Sequence, residues 1–371
     1  MSGALAIALV AIVAGASCGL AGVFLVLRRL AMMSDAISHA ILPGLVAGYF
    51  FARGPNLIAA FLGATAAGVL TVFLVETIVR MRRLKEDAAI GLVFPALFAI
   101  GVLLVSRYFA NVHLDTDAVL YGEIALAPFD TWNVAGRNLG PQSLWVLAGL
   151  GLLNAGFLYL FFKELKLSTF DPGLAEILGF RPGLLHYSFM TIIAMTTVGA
   201  FSAVGAILAV ALIVIPAVTA SFWTTRLPVV IVLSIGIGAF AGLLGYGAAT
   251  AIDVSISGAI ATTLGLLVGG SALFAPRTGF VAQALLRRRQ RWAFAATALV
   301  IHLAHHRGTD AEVEESRLDH LQAELGWSSD EVNRIVRESE EAGWTIREGD
   351  RLVLTETGAR AAAGRLVADR A

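Results

Sequence analysis

The feature that most constrains the fold is a run of 44 residues without a charged side chain, Pro182 to Thr225. Crossing the hydrocarbon core of a bilayer takes about 20 mostly apolar residues. This run is therefore long enough for two membrane helices, with a turn near Thr197–Gly205. The whole chain is 57% hydrophobic and only 15% charged, against roughly 25% charged in soluble domains. The sequence predicts an all-α polytopic membrane bundle and argues against a soluble enzyme.

Further apolar stretches bring the prediction to about nine membrane helices. The predicted spans are Ala4–Leu27, Ala36–Ala52, Pro55–Val75, Ala88–Ser106, Asn138–Phe162, two within Pro182–Thr225, Leu227–Ile252 and Val254–Pro276. The least certain segment is Asp117–Phe129, whose short apolar piece fits a partial or re-entrant segment. The only cysteine, Cys18, excludes a disulfide framework and a four-cysteine metal site within one chain.

Basic residues predict the orientation, because cytoplasmic loops of membrane proteins carry an excess of Lys and Arg. With the N-terminus outside, one side of the membrane collects Arg28, Arg29, Arg80, Arg82, Arg83, Lys85, Lys163, Lys166, Arg181, Arg226 and Arg287–Arg289. The opposite loops hold only Arg53, Arg107 and Arg137. This bias predicts a multi-pass protein of a bacterial-type inner or plasma membrane, with its C-terminal region in the cytoplasm.

The net charge of zero hides two regions of opposite sign. Residues 290–371 hold 10 Lys and Arg against 15 Asp and Glu, a net charge of −5, so the preceding residues carry +5. We therefore predict a transmembrane permease domain over residues 1–285 and a small cytoplasmic domain over residues 286–371.

Ionisable groups inside a membrane span are costly, and each one is a functional hypothesis. Asp35 and His39 are four residues apart, so both side chains lie on one helical face. A carboxylate and an imidazole together suit Mn²⁺, Fe²⁺ or Zn²⁺, and copies from two subunits would supply four ligands. The alternative is an Asp–His hydrogen bond that neutralises both groups in a packed core. Pro43-Gly44 is expected to loosen the helix just beyond the pair.

Two other segments carry candidate functional residues. His113, Asp115 and Asp117 alternate in a predicted outer loop, where they form either a cation-binding entrance or a solvated acidic loop. In the predicted cytoplasmic loop 163–181, Asp171 is a helix N-cap, Pro172 occupies the first helical position and Gly179 ends the helix. Such a short helix is either an ordinary capped loop helix or a docking surface for an ATPase. An ATP-driven pump would need a separate ATPase subunit, because the sequence contains no Gly-x-x-x-x-Gly-Lys-Ser/Thr phosphate loop.

Several of these segments together resemble the permease subunits of metal-ion ABC importers, the manganese/zinc/iron family. Residues 34–44, Ser-Asp-Ala-Ile-Ser-His-Ala-Ile-Leu-Pro-Gly, are similar to the family's Gly-Asp-Ala-(Ile/Leu)-Ser-His-Ala-(Val/Ile)-Leu-Pro-Gly signature, with Ser34 in place of the usual glycine. Residues 84–91 resemble a second signature, and residues 170–179 resemble the coupling helix, with Phe170, Asp171, Ala175 and Gly179 at matching positions. The resemblance covers about residues 5–285.

This resemblance implies a fold similar to type II ABC importers, with Asp35 and His39 in the metal pathway. It also implies a second permease subunit (an identical copy or a paralogue), two cytoplasmic ATPase subunits and an extracytoplasmic metal-binding protein. ATP would then be used only by the partner subunit, and the chain itself would hold no permanent cofactor. The expected cargo is a divalent transition metal ion, with Mn²⁺ favoured and Zn²⁺ or Fe²⁺ as alternatives.

The C-terminal region has the element order of a small α+β winged-helix domain: a helix, a helix-turn-helix, a hairpin about Glu348-Gly349-Asp350 and a last helix. It resembles the DNA-binding domain of diphtheria-toxin-repressor-type regulators. DNA binding is nonetheless not expected, because that activity needs a basic face and this region is acidic. The expected role is protein contact or regulation.

The C-terminal region also contains a loose group of histidines and acids that either senses metal or forms a solvated helix end: His302, His305, His306, Asp310, Glu312, Glu314 and Glu315.

Two other functions were compared with the importer permease. A secondary metal carrier would transport without a partner ATPase. A membrane-anchored winged-helix transcription regulator would need neither nine spans nor an intramembrane Asp/His pair, and its DNA-binding domain should be basic.

Overall fold

The computed structural model describes residues 2–52, 56–108, 124–134, 137–324 and 326–368. The chain forms two compact units, residues 1–276 and residues 277–371. The division falls slightly before the predicted domain boundary at residues 285/286, and the first helix of the second unit runs across that boundary.

The first unit is built almost entirely from helices. Its helices are α1 (Gly3–Leu27), α2 (Ala31–Ala40), α3 (Leu42–Phe51), α4 (Leu57–Arg80), α5 (Glu86–Tyr108), α6 (Gln142–Leu160), α7 (Phe162–Phe170), α8 (Pro172–Ile177), α9 (Pro182–Val204), α10 (Ala206–Trp223), α11 (Leu227–Ile252) and α12 (Ile256–Phe274).

Eight of the described helices, α1, α4, α5, α6, α9, α10, α11 and α12, are long and apolar enough to cross a membrane. The long uncharged run divides as predicted, since α9 ends at Val204 and Gly205, with φ of +85°, turns the chain into α10. The ninth predicted span, Ala36–Ala52, is not one continuous helix, and its crossing of the membrane stays a prediction. That segment forms two ten-residue helices, α2 and α3, because Pro43 has no N–H to continue the helical hydrogen bonding.

The segment before α6 also differs from its prediction. The predicted span Asn138–Phe162 begins instead with the second strand of a short hairpin, β1 (Thr131–Val134) paired antiparallel with β2 (Arg137–Pro141), so α6 starts at Gln142. Of the Asp117–Phe129 segment, the described residues form one 3₁₀ turn, Ile124–Leu126, followed by turns. Whether this segment re-enters the membrane stays a prediction, because residues 117–123 lie outside the described residues.

Close backbone contact between α1 and α11 organises the centre of the first unit. A Cβ atom added at Gly15 would clash with the backbone of Gly238, and one added at Gly238 would clash with Gly15. Glycines four apart on both helices, Gly15/Gly19 and Gly238/Gly242, allow such an approach. A further pair with this spacing, Gly265 and Gly269 on α12, has open space where a Cβ would stand.

The second unit has its own core, formed by residues such as Leu299, Val300, Leu321, Ile335 and Leu352. Its elements are α13 (Phe280–His306), α14 (Glu312–Glu315), α15 (Leu318–Glu324), α16 (Ser329–Glu341), β3 (Thr345–Glu348), β4 (Arg351–Leu354) and α17 (Glu356–Ala368).

Two local features define elements of the second unit, and the second of them, the hairpin, was predicted. Ser328 caps α16 in a reciprocal capping box with Glu331, and the hydrogen bonds from Ser328 hold the pKa of Glu331 below its ordinary value. The hairpin pairs Glu348 with Arg351 across Gly349, whose φ is +68°. The elements follow the predicted order, while their assignment to the winged-helix class stays a prediction.

Candidate metal pathway in the first unit

Asp35 and His39 lie on α2 as predicted, one turn apart on the same face. The distance between Asp35 Oδ1 and His39 Nε2 is 3.5 Å, and each side chain is about one third exposed, 36% and 35% respectively. The His39 ring also packs against Phe94 of α5, with ring centroids 5.7 Å apart. The pair therefore lies at an open surface of the unit, bounded on one side by α5.

The opposite face of α2 explains why the pair points outward. Met33, Ile37 and the two serines Ser34 and Ser38 are buried on that face. The serine hydroxyls donate to carbonyls one turn earlier, to Ala31 O and Ser34 O, both at 2.9 Å. Small buried residues with satisfied hydroxyls let α2 pack closely on the bundle, which leaves Asp35 and His39 on the face directed away from the core.

The break between α2 and α3 comes two residues after His39. Pro43 cannot donate a backbone hydrogen bond to the His39 carbonyl, its i−4 partner, so the carbonyl loses its helical donor at that position. Gly101 of α5 packs against this corner, since an added Cβ would lie 2.8 Å from Pro43 Cδ. The predicted loosening at Pro43-Gly44 thus corresponds to a break of one residue, Ile41, between α2 and α3.

Asp35 and His39 form a pair and not a complete metal site. In the part of the chain that the structure describes, no third His, Cys, Asp or Glu ligand atom joins them. The predicted entrance residues His113, Asp115 and Asp117 lie outside the described residues. An ion at Asp35 and His39 would need its remaining ligands from water or from another chain.

The segment similar to a coupling helix has the predicted local structure. The Asp171 carboxylate accepts a hydrogen bond from Leu174 N at 2.9 Å, α8 follows from Pro172, and Gly179, with φ of +84°, ends it. Ala175 is fully buried, while Phe170 and Ile177 are 63% and 83% exposed. The preceding residues 162–170, predicted as loop, form α7.

A polar network that the sequence analysis missed lies where α1, α4, α7 and α9 meet. Arg28 Nε donates to Thr169 Oγ1 and Nη2 donates to Ser168 Oγ, both at 3.0 Å. Arg28 Nη1 lies 3.1 Å from His186 Nδ1. Because arginine has no acceptor, Nδ1 accepts this hydrogen bond, which leaves the proton of the neutral ring on Nε2.

Glu76 completes the network. One carboxylate oxygen contacts His186 Nε2, and the other accepts a hydrogen bond from the Tyr187 hydroxyl at 2.7 Å. In the sequence, His186 is the only histidine of the uncharged run 182–225, and Glu76 directly follows the predicted span Pro55–Val75. The missed signal was that α4 continues through Thr77-Ile78-Val79, so Glu76 is an acidic residue within an apolar helix.

Comparison with known proteins agrees with the fold of the first unit. A profile described as the ABC 3 transport family matches residues 3–274, which is nearly the whole first unit. The chain belongs to the ABC 3 transport family. It is therefore a multi-pass membrane protein, in agreement with its eight long apolar helices.

One relative covers nearly the whole of this family member, and another covers about three quarters of it. The chain is 44% identical over 364 residues to the zinc transport system membrane protein TroD of Treponema pallidum (strain Nichols), covering 97% of this chain and 98% of TroD. It is 43% identical over 274 residues to the manganese transport system membrane protein MntD of Bacillus subtilis (strain 168), covering 74% of this chain and 92% of MntD.

A solved structure supports the fold of the first unit. A chain in the structure titled PsaBC from Streptococcus pneumoniae in complex with Fab aligns with a TM-score of 0.63 and 28% identity. The alignment covers 76% of this family member and 96% of that chain.

Proposed function

We propose that this chain is the membrane permease subunit of an ABC importer that carries a divalent transition metal ion, with Mn²⁺ the first candidate and Zn²⁺ or Fe²⁺ the alternatives. The observation that carries the proposal is the Asp35–His39 pair, turned away from the core beside an interrupted helix. ATP hydrolysis is assigned to a separate subunit, so the chain is a transport component and not itself an enzyme.

The spacing of the pair supports ion binding. Nitrogen and oxygen ligands that each lie about 2.1 Å from one metal ion are roughly 3–3.5 Å apart, and the Asp35–His39 distance is 3.5 Å. Only neutral imidazole binds metal. Two ligands from one chain hold an ion weakly, which suits a pathway, because a site that binds too tightly does not release its ion.

The incomplete ligand set supports a second permease subunit. A second copy or a paralogue that places its own Asp/His pair against this one would complete a four-ligand site. The one-third exposure of both side chains in the single chain leaves room for that approach. The names of relatives include both zinc and manganese transport, and an imidazole–carboxylate pair accepts either ion.

The exposed apolar side chains around α8 support docking of a cytoplasmic ATPase subunit, two of which would serve the dimer. Phe170, at the end of α7, and Ile177, at the end of α8, expose large apolar side chains, while Ala175 of α8 is buried against the unit. An extracytoplasmic metal-binding protein is the proposed supplier of the ion.

The second unit is assigned to the cytoplasm as a winged-helix module for regulation or protein contact. Its acidic α16, with Glu338, Glu340 and Glu341, disfavours DNA binding.

The direct test is metal uptake by proteoliposomes that contain the complete complex, with Mn²⁺, Zn²⁺ and Fe²⁺ in competition. We expect His39→Ala and Asp35→Ala each to abolish uptake while the complex still assembles. Met32→Ala, on the same helix and 55% exposed, is the matched control and should transport normally. If both pair variants transport at the wild-type rate, the pair is structural and the proposed pathway is wrong. Uptake that continues without the ATPase would instead indicate a secondary carrier.

The docking surface has its own test. Ile177→Asp places a charge on the exposed apolar surface of α8, so we expect loss of ATPase association and of uptake, measured by co-purification and transport. Glu176→Gln, a neighbouring exposed position, is the control. Normal association of the Ile177 variant would place the ATPase contact elsewhere.

A further inference from the structure

The second unit contains a group of metal-ligating side chains that the transport pathway does not use. His302 and His306 lie four residues apart on the last turns of α13, and Glu315 reaches them from α14. One ligand atom from each residue lies within 4.8 Å of the other two. Within the described parts of the chain, this is the only group of three or more His, Cys, Asp or Glu side chains with such spacing.

Two ligand atoms of this group are buried and lie close together. His302 Nε2 and Glu315 Oε2 are 3.2 Å apart and shielded from solvent. Neither atom makes a hydrogen bond of acceptable geometry to the described residues. A buried polar atom without a hydrogen bond costs about 1–3 kcal/mol, and native structures contain few of them. A cation coordinated by both atoms would remove that cost.

The backbone holds the group in place. Gly308, with φ of +79°, turns the chain directly after α13, and its N–H donates to the Glu312 carboxylate at 2.7 Å. The Thr309 hydroxyl donates to the His306 carbonyl at 2.7 Å. These two bonds fix the tight return that brings Glu315 beside the α13 histidines.

A fourth residue supports the carboxylate. His320 Nε2 lies 3.0 Å from the same oxygen, Glu315 Oε2. Residues that hold a ligand in this way fix its orientation, and their loss typically lowers metal affinity 10–100-fold. A cavity of about 180 Å³ next to the group, lined by residues that include His306, Glu312, Glu315 and Glu348, provides access for a cation.

We propose that His302, His306 and Glu315 form a second binding site for a divalent transition metal ion of the Zn²⁺ class, with His320 as a positioning residue. Two imidazoles and one carboxylate are a known ligand set for zinc, with a fourth position left for water. The site responds to the same class of ion that the first unit carries and thereby regulates transport. Metal binding here stands independently, whereas the regulatory use rests on the proposed transport function.

The binding test uses the full-length chain in detergent, stripped of metal, with Asp35→Ala and His39→Ala introduced to remove the first pair. Co²⁺ serves as the probe, because its visible absorption reports His and carboxylate coordination, and Zn²⁺ is the competitor. We expect one Co²⁺ per chain, displaced by Zn²⁺. Glu315→Gln and His302→Gln should each weaken binding about 100-fold or more, and His320→Gln about 10–100-fold. His305→Gln, an exposed neighbour, should bind normally.

The proposed metal site is wrong if the chain that carries only Asp35→Ala and His39→Ala binds no Co²⁺. It is also wrong if adding Glu315→Gln or His302→Gln leaves the affinity for Co²⁺ unchanged. Glu315→Gln keeps the size of the side chain, and an unchanged thermal midpoint without metal confirms that this variant is folded.

The regulatory use is tested by uptake into proteoliposomes with an intact first pair, while Zn²⁺ is varied on the side that holds the second unit. We expect Glu315→Gln to remove the dependence of uptake on that Zn²⁺. If the site binds Co²⁺ but uptake by the Glu315→Gln variant depends on Zn²⁺ as in the wild type, only the regulatory use is wrong. The proposed pathway is tested separately, because it predicts loss of uptake in the Asp35 and His39 variants.

Discussion

Two groups of ionisable side chains in the first unit contrast sharply in how completely they are paired. In the network of Arg28, Glu76, His186 and Tyr187, side-chain donors face acceptors from four different helices, and the Glu76 and His186 side chains are each only 20% exposed. Asp35 and His39 are about one third exposed; the two side chains lie 3.5 Å apart, and the His39 ring packs against Phe94.

This contrast separates two roles for polar groups in a membrane bundle. A buried charge with several close partners stabilises one arrangement of the helices, because breaking the network leaves its other members unpaired. A pair that keeps exposed ligand atoms can accept an ion and release it. We therefore expect substitutions in the network to change stability first, and substitutions in the pair to change transport first.

The largest expected change in stability is for Glu76→Ala. Removing this carboxylate leaves His186 Nε2 and the Tyr187 hydroxyl without their partner, at a cost of about 1–3 kcal/mol. Thermal unfolding of the protein in detergent should show a clearly lowered midpoint. Arg80→Ala is the control, because Arg80 reaches Glu76 at 3.4 Å from a side chain that is 73% exposed, and such surface pairs contribute about 0–1 kcal/mol. Equal midpoints for the two variants would mean that the network is not structural.

A smaller change is expected for Tyr187→Phe. This substitution removes only the hydrogen bond to Glu76 and keeps the ring, so the cost should be about 0.5–1.5 kcal/mol. The double variant with Glu76→Ala should be no less stable than Glu76→Ala alone, because both changes remove the same bond. Additive losses in this double-mutant cycle would show that Tyr187 acts independently of Glu76.

The contrast also shows where prediction from sequence worked. Asp35 and His39 were found because their spacing is local, four residues on one helix, and because charges stand out in an apolar stretch. The turn at Gly205, the cap at Asp171 and the capping box at Ser328 follow from equally local rules. The same local reasoning predicted most spans, but it carried the second span through Ile41, where α2 ends and α3 begins.

The network could not be predicted in the same way, because its members come from positions 28, 76, 168, 169, 186 and 187. Only the packing of four helices brings them together, and periodicity within one helix carries no information about that packing. The metal-ligating group of the second unit lies between these cases. His302 and His306 are a local pair, but the choice of Glu315 among several nearby acids depends on the turn at Gly308.

The smallest change in stability is expected for Asp35→Asn, and it tests the other half of the contrast. The carboxylate makes no hydrogen bond to the described residues beyond its 3.5 Å contact with His39, and surface substitutions of this kind usually change stability by less than about 0.5 kcal/mol. The thermal midpoint without metal should therefore match that of the wild type. An ion that binds only the folded protein raises its midpoint by mass action, so added Mn²⁺ should stabilise the chain with the intact pair more than the variant. A strongly lowered midpoint of the metal-free variant would instead identify Asp35–His39 as a second structural pair, similar to the Glu76 network.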